Sequence, residues 1–163
     1  NVVLDGTKLN NLKNYQLTLI RRNKVGFVFQ DYNLLPNLTA LENIMLPMEF
    51  AGMSRIERLR RAASLLGIVG LAKRSTHKSS QLSGGEKQRI AIARALANNP
   101  KVILADEPTG NLDSKNAEQI YNLFSNIAKE RTVIIVTHAE KLAQLADRIF
   151  YLKDGKLTST DKK

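Results

Sequence analysis

The chain has 163 residues, 43% of them hydrophobic and 25% charged, a length and balance suited to one globular domain with a sizeable core. Cysteine is absent, which excludes disulfides and thiolate metal sites; no stretch approaches the roughly 18 consecutive apolar residues of a membrane span, and the opening residues lack the succession of a secretory signal. The formal charge of +10 suits a solvated basic face, an anionic membrane surface or nucleic acid, but the basic residues are dispersed and no run interleaves them with aromatics, so direct nucleic-acid binding is the weaker reading.

Residues 2–4 read as a short strand closed by Asp5-Gly6, and residues 25–29, VGFVF, as a buried strand that ends at Gln30. Arg21, Arg22 and Lys24 precede that strand, and a loop over 31–37 follows it. Three helix starts carry a capping box, in which a hydroxyl accepts from a backbone N–H three residues on while a glutamate reaches back: Thr39 with Glu42, Ser54 with Glu57 and Ser83 with Glu86. The first two open a helical region over 40–67, long enough for two helices around Gly52; the third opens a helix over 84–97, stopped by Asn98-Asn99-Pro100. The apolar run 102–105, VILA, reads as a buried parallel strand, and Asp106 and Glu107 stand at its carboxyl end. A helix over 114–130 places Ile120, Leu123, Phe124, Ile127 and Ala128 on one face. A second buried strand over 132–137, a short helix over 141–146 and a hairpin turned at Asp154-Gly155 complete the order. Strands alternating with helices predict an α/β fold with a parallel core.

Two adjacent acids at a buried strand's end suit magnesium, a hard cation that takes carboxylate oxygens, and the orientation of an attacking water. Acids there also serve as helix caps and turn formers. In LSGGEKQR, residues 82–89, a serine and two glycines open a helix, where free N–H groups and the positive dipole end favour an anion; an ordinary capped helix carries the same pattern.

Taken together, LSGGEKQR, then LADEPTGNLD over 104–113, then VTH over 136–138, resemble the ATP-binding subunits of ABC transporters: signature, Walker B strand, D-loop and switch histidine stand in the family's order, and Gln30 after VGFVF resembles the Q-loop glutamine. Five matches at the right spacing outweigh any lone short motif. NLLPNLTALENIMLP over 33–47 is most similar to the subfamily serving lipoprotein release and macrolide export. Lys78-Ser79-Ser80 stands where that family often has a proline, and Ala139 where the subfamily has an aspartate.

The resemblance implies a P-loop NTPase-like parallel core with a helical signature subdomain over about 31–98, and an α/β core from 1–30 and 99–163. It implies that Glu107 polarises the hydrolytic water, Asp106 holds Mg2+ through water, Gln30 contacts the Mg2+ and senses the γ-phosphate, and His138 hydrogen-bonds that phosphate. Ser83, Gly84 and Gly85 close on ATP held by the opposite subunit of a head-to-tail homodimer, with Asp113 at the seam. A membrane permease subunit docks against the helical region, on the cytoplasmic face of the inner membrane; Leu41, Ile44, Met45 and Leu46 there are mostly core. His77 lacks such a context and is expected in a surface loop.

No G-x-x-x-x-G-K-[ST] loop occurs in the 163 residues. The resemblance places that Walker A loop, with its strand and helix, upstream of residues 2–4, so a truncated product is expected, unable by itself to bind ATP tightly or hydrolyse it. The strand leading into the loop would lie between those at 132–137 and 149–152, and without it these two are expected either to self-associate or to pair directly. The competing readings are a non-transport member of the superfamily, such as a ribosome-associated translation factor or a DNA-repair ATPase, and a non-catalytic interaction module. The roughly fifty residues between Gln30 and Leu82, without sustained heptads, disfavour the DNA-repair type.

Overall fold

A computed structural model describes residues 1–162. The amino end is an antiparallel hairpin of β1 (Val3–Leu4) and β2 (Thr7–Lys8), turned by Asp5 at φ 48° and Gly6 at φ 74°. Two consecutive left-handed residues are what a two-residue hairpin of this twist requires, and Asp-Gly supplies them at little cost. The helix α1 (Asn14–Lys24) follows, unanticipated from the sequence because it buries no residue and has no acid in its first turn. Arg21, Arg22 and Lys24 form its last turn, where positive charge complements the carbonyl end of the helix dipole.

After β3 (Val25–Val28) come α2 (Ala40–Phe50) and α3 (Arg55–Ile68), separated at Gly52 as expected, then α4 (Gly84–Ala95). The strand β4 (Val102–Asp106), helix α5 (Ser114–Ala128), strand β5 (Thr132–Val136), one-turn helix α6 (Glu140–Ala143) and the hairpin of β6 (Arg148–Lys153) with β7 (Lys156–Lys162) complete the chain.

All three capping boxes form: Thr39, Ser54 and Ser83 accept from the N–H of Glu42, Glu57 and Glu86, and each glutamate returns to the cap. Backbone N–H groups of Thr39 and Ser83 hold Glu42 and Glu86 below the ordinary carboxylate value of 4.5, and the Ser54 hydroxyl does the same for Glu57. A carboxylate depressed in the folded state stabilises above its unfolded value, and that contribution is lost as pH falls through the folded one. The melting temperature is therefore expected to fall between pH 6 and pH 3.5, and Glu86→Gln to flatten part of that fall. Circular dichroism melts check this, and a melt indifferent to pH over that interval would contradict it.

The central sheet has the order β3-β4-β5, parallel throughout, with Phe27, Leu104 and Ile134 in one cross-strand row. One face, through Val28, Ile103 and Ala105, is buried beneath α4 and α5, whose Ile92, Ile120 and Phe124 share the same core. At Gly26 the strand and α4 approach so closely that a Cβ would lie 2.3 Å from the Ala95 carbonyl oxygen. The other face is largely exposed: Ile134 and Val136 are 52% and 63% exposed, and the Phe27 and Phe29 rings stack on each other there at 6.0 Å. Of the two outcomes expected for the strands at 132–137 and 149–152, direct pairing is not formed among the described residues. β5 pairs with β4 alone and β6 with β7 in a separate sheet, because nothing draws the hairpin onto a sheet edge whose apolar face has no layer over it.

Candidate functional site

β4 ends at Asp106, and the chain turns at once: Glu107 has φ 41°, a left-handed conformation that costs a non-glycine residue about 1–3 kcal/mol unless its surroundings impose it. They do. The Glu107 N–H donates to the Val136 carbonyl at 2.9 Å, the His138 N–H donates to Oε1 at 2.9 Å, and the Thr137 hydroxyl donates to Oε2 at 3.2 Å. The carboxylate is 18% exposed, while the His138 ring, with Nε2 3.5 Å from Oε1, stands wholly in solvent. Thr137, which the sequence singled out only as part of VTH, also accepts from the Ala139 N–H at 3.0 Å and so fixes the turn after β5. Asp106 is exposed at the strand end, and its carboxylate has no hydrogen-bond or ion-pair partner among the described residues.

The loop from Glu107 to Asp113 runs from this cluster to two others. Gly110 lies against the Gln30 side chain, whose Nε2 would be 3.0 Å from a Cβ there, and Asn111 Nδ2 donates to the Gln30 carbonyl at 3.4 Å and to Asp31 Oδ1 at 3.3 Å. Beyond Gln30, Tyr32 (φ 62°) and Asn33 (φ 47°) are both left-handed, and Arg94 of α4 donates to both of their carbonyls, at 2.7 Å to Tyr32. Asn33 is a residue type that tolerates this conformation; the distant Arg94 gives no sequence signal.

At its far end the loop packs on the start of α4. Ser83 is the N-cap; a Cβ at Gly84 would meet the Tyr32 hydroxyl at 3.0 Å and Leu112 at 3.5 Å, and one at Gly85 would meet Asn116 Oδ1 at 2.2 Å. Asp113 caps α5, accepting from the Asn116 and Lys115 N–H groups at 3.0 Å and from Asn116 Nδ2 at 2.5 Å; the Asn116 N–H holds its carboxyl below the ordinary 3.8. Glu107, His138, Gln30 and the Ser83–Gly85 segment are thus tied to one loop, yet no hydrogen bond joins Ser83, Gly84 or Gly85 to Asp106, Glu107 or His138 among the described residues. His77 lies in the loop after α3, half-buried, its carbonyl accepting from the Ala40 N–H at 2.8 Å.

Between α1, β3, α2 and α4 lies a groove of about 360 Å3 with Phe27, Phe29, Pro47 and Phe50 on its walls and Arg22 and Arg94 at its polar side. Leu46 lines it, whereas Ile44 is core and Leu41 and Met45 pack against the core. Among the described residues no helix is long and apolar enough to cross a membrane, and no three His, Cys, Asp or Glu side chains gather as a metal site.

The sequence profile of the ABC transporter family matches residues 1–110. The chain belongs to the ABC transporter family. MJ0796 of Methanocaldococcus jannaschii, an ABC transporter ATP-binding protein, is 52% identical over 167 residues, covering 99% of this chain and 71% of its own. Its dimeric post-hydrolysis structure bound to ADP and Pi aligns with a TM-score of 0.86 at 49% identity, over 98% of this chain and 71% of that one. The lipoprotein-releasing ATP-binding protein LolD of Bacteroides fragilis is 47% identical over 94% of this chain and 72% of its own; the macrolide export ATP-binding/permease protein MacB of Brucella abortus is 46% identical over 99% and 25%. As an ABC ATP-binding subunit, the protein is a nucleotide-binding ATPase that powers transport, and the α/β fold with a parallel sheet is the family's.

Proposed function

We propose that this ABC subunit drives an exporter or a lipoprotein-releasing system by hydrolysing ATP at the seam of a head-to-tail homodimer. The observation that carries the reading is the single loop, Glu107 to Asp113, tying the half-buried carboxylate, Gln30 and the signature helix together. Each Glu107 oxygen accepts one hydrogen bond and keeps a lone pair, so the carboxylate is held in place yet free to orient a water. That water's oxygen bonds to the γ-phosphorus as the bond to the β–γ bridging oxygen breaks, its proton passes to the Glu107 carboxylate, and the freed ADP carries the displaced negative charge. The His138 ring, exposed beside the carboxylate, meets the γ-phosphate; Gln30 reports its presence to the helical region. Ser83, Gly84 and Gly85 offer the N–H groups of α4 to the phosphates of the opposite subunit, with Asp113 at the seam. The dimeric MJ0796 structure supports this assembly.

Asp106 and Gln30 supply hard oxygen donors that fit Mg2+, though only as part of a shell that phosphate and water complete, in keeping with the absence of a three-ligand cluster among the described residues. When bound, the ion neutralises charge on the transferred phosphate. The helical region, about 31–98, and the α/β core, 1–30 with 99–163, act as two subdomains. The groove at their junction takes a helix of a membrane permease subunit, a pairing supported by MacB, whose name joins ATP-binding and permease roles, and holds the protein peripherally at the membrane's cytoplasmic face. The LolD and MacB likenesses favour this over a translation factor.

Phosphate release assays test the reading. Protein that includes a phosphate loop is expected to hydrolyse ATP with Mg2+, and the 163 residues alone to turn over none. A rate of about 1 per second from the 163 residues alone, abolished by Glu107→Ala, would overturn the expected dependence on that loop.

A further inference from the structure

Among the described residues two carboxamides are fully buried, and they differ in one respect. Asn43 accepts from the Leu35 N–H and donates to the carbonyls of Leu35, Leu38 and Thr39, so its burial is fully compensated. Gln88, in the middle of α4, is 0% exposed, and neither its Nε2 nor its Oε1 has a partner. A buried polar group left unpaired is costly, and native structures hold few of them.

Helix geometry fixes where this side chain goes. At about 100° per residue, Gln88 projects between the directions of Gly84 and Gly85, one turn along, and helical side chains lean back toward the amino end. Gly84 faces Tyr32, Leu112 and, at 3.8 Å from its Cβ position, the Asn111 carbonyl oxygen; Gly85 faces Asn116. The side chain therefore leaves α4 toward the place where the Glu107–Asp113 loop crosses it, beside an Asn111 carbonyl that accepts no hydrogen bond among the described residues.

We propose that Gln88 is a positioning residue for the Glu107–Asp113 loop: its carboxamide seats on backbone groups of that loop when ATP closes the dimer, and so transmits signature contact to Glu107. This rests on the ATP-dimer reading above. Gln88 touches no reacting atom; it sets the loop on which Glu107 stands.

The test compares Glu107→Gln protein that includes a phosphate loop with the same protein carrying Gln88→Met. Without nucleotide, the melting temperature is expected to hold or rise, because methionine fills the space without an unpaired amide. With ATP, the dimer is expected to weaken about tenfold, the size of one hydrogen bond lost, and hydrogen exchange over 107–113 to lose its ATP-dependent protection. Unchanged dimerisation and protection would overturn the proposal. So would a lowered melting temperature with protection lost along α4 in the absence of ATP, which marks a packing role. Should the methionine variant not fold, exchange of the Gln88 side-chain amide protons, followed by NMR in the Glu107→Gln protein, decides: slowing on ATP addition supports the proposal and no change overturns it. A Glu107→Gln parent that fails to dimerise with ATP refutes the ATP-dimer reading itself, and this proposal with it.

Discussion

Glu107→Gln, in protein that includes a phosphate loop, is expected to stop hydrolysis while leaving ATP bound. The substitution preserves the local geometry: the amide oxygen can accept from the His138 N–H as Oε1 does, and the amide nitrogen can donate to the Thr137 hydroxyl oxygen in place of Oε2. What is lost is the charge that orients water and takes up its proton, an effect of roughly 10²–10⁴-fold in rate. With closure intact and hydrolysis blocked, the ATP-bound dimer should persist, and size-exclusion chromatography with ATP should show it. A monomer that hydrolyses ATP at the parent rate would place the base at another residue.

Gly26→Ala is expected to be among the most damaging conservative changes in the chain. Its Cβ would stand 2.3 Å from the Ala95 carbonyl oxygen and 2.7 Å from Ile103 Cδ1. The first of these is backbone, and α4 cannot retreat because α2, α3 and α5 pack around it. Overpacking of this kind costs about 3 kcal/mol, which lowers the melting temperature of a chain this size by roughly 6–12 °C. A thermal melt within 2 °C of the parent would show that α4 yields more readily than its packing implies.

The elements that the sequence disclosed were those with a repeating or capping signal. Three hydroxyl–glutamate pairs marked three helix starts, and the apolar runs VILA and VGFVF marked strands, because their causes lie within a few residues of one another. The helix α1 carries no such signal, because an exposed helix without an apolar stripe leaves no periodicity to read. The site divided in the same way. Glu107, His138 and Ser83 were legible through motif order, whereas Thr137 holding the carboxylate, Arg94 holding the Tyr32-Asn33 turn and Asn116 filling the space at Gly85 are contacts across 30 or more residues. The left-handed Glu107 is legible in neither propensity nor pattern, since only the tertiary contacts with Val136, Thr137 and His138 sustain it.

Neighbouring strands of the central sheet are unequally distant along the chain. Some seventy residues, holding α2, α3 and α4, separate Val28 from Val102, while about twenty-five separate Asp106 from Thr132. In chain entropy the longer crossover costs only about 1 kcal/mol more to close, and doubling it would add about 0.6 kcal/mol. Insertions at the exposed Gly52 turn between α2 and α3, where a Cβ would meet nothing within 4 Å, therefore carry little thermodynamic penalty. The short stretch from Glu107 to Asp113 has no such tolerance, since each of its ends is pinned to a different element and one added residue would pull Glu107 away from His138 or Asp113 away from α5.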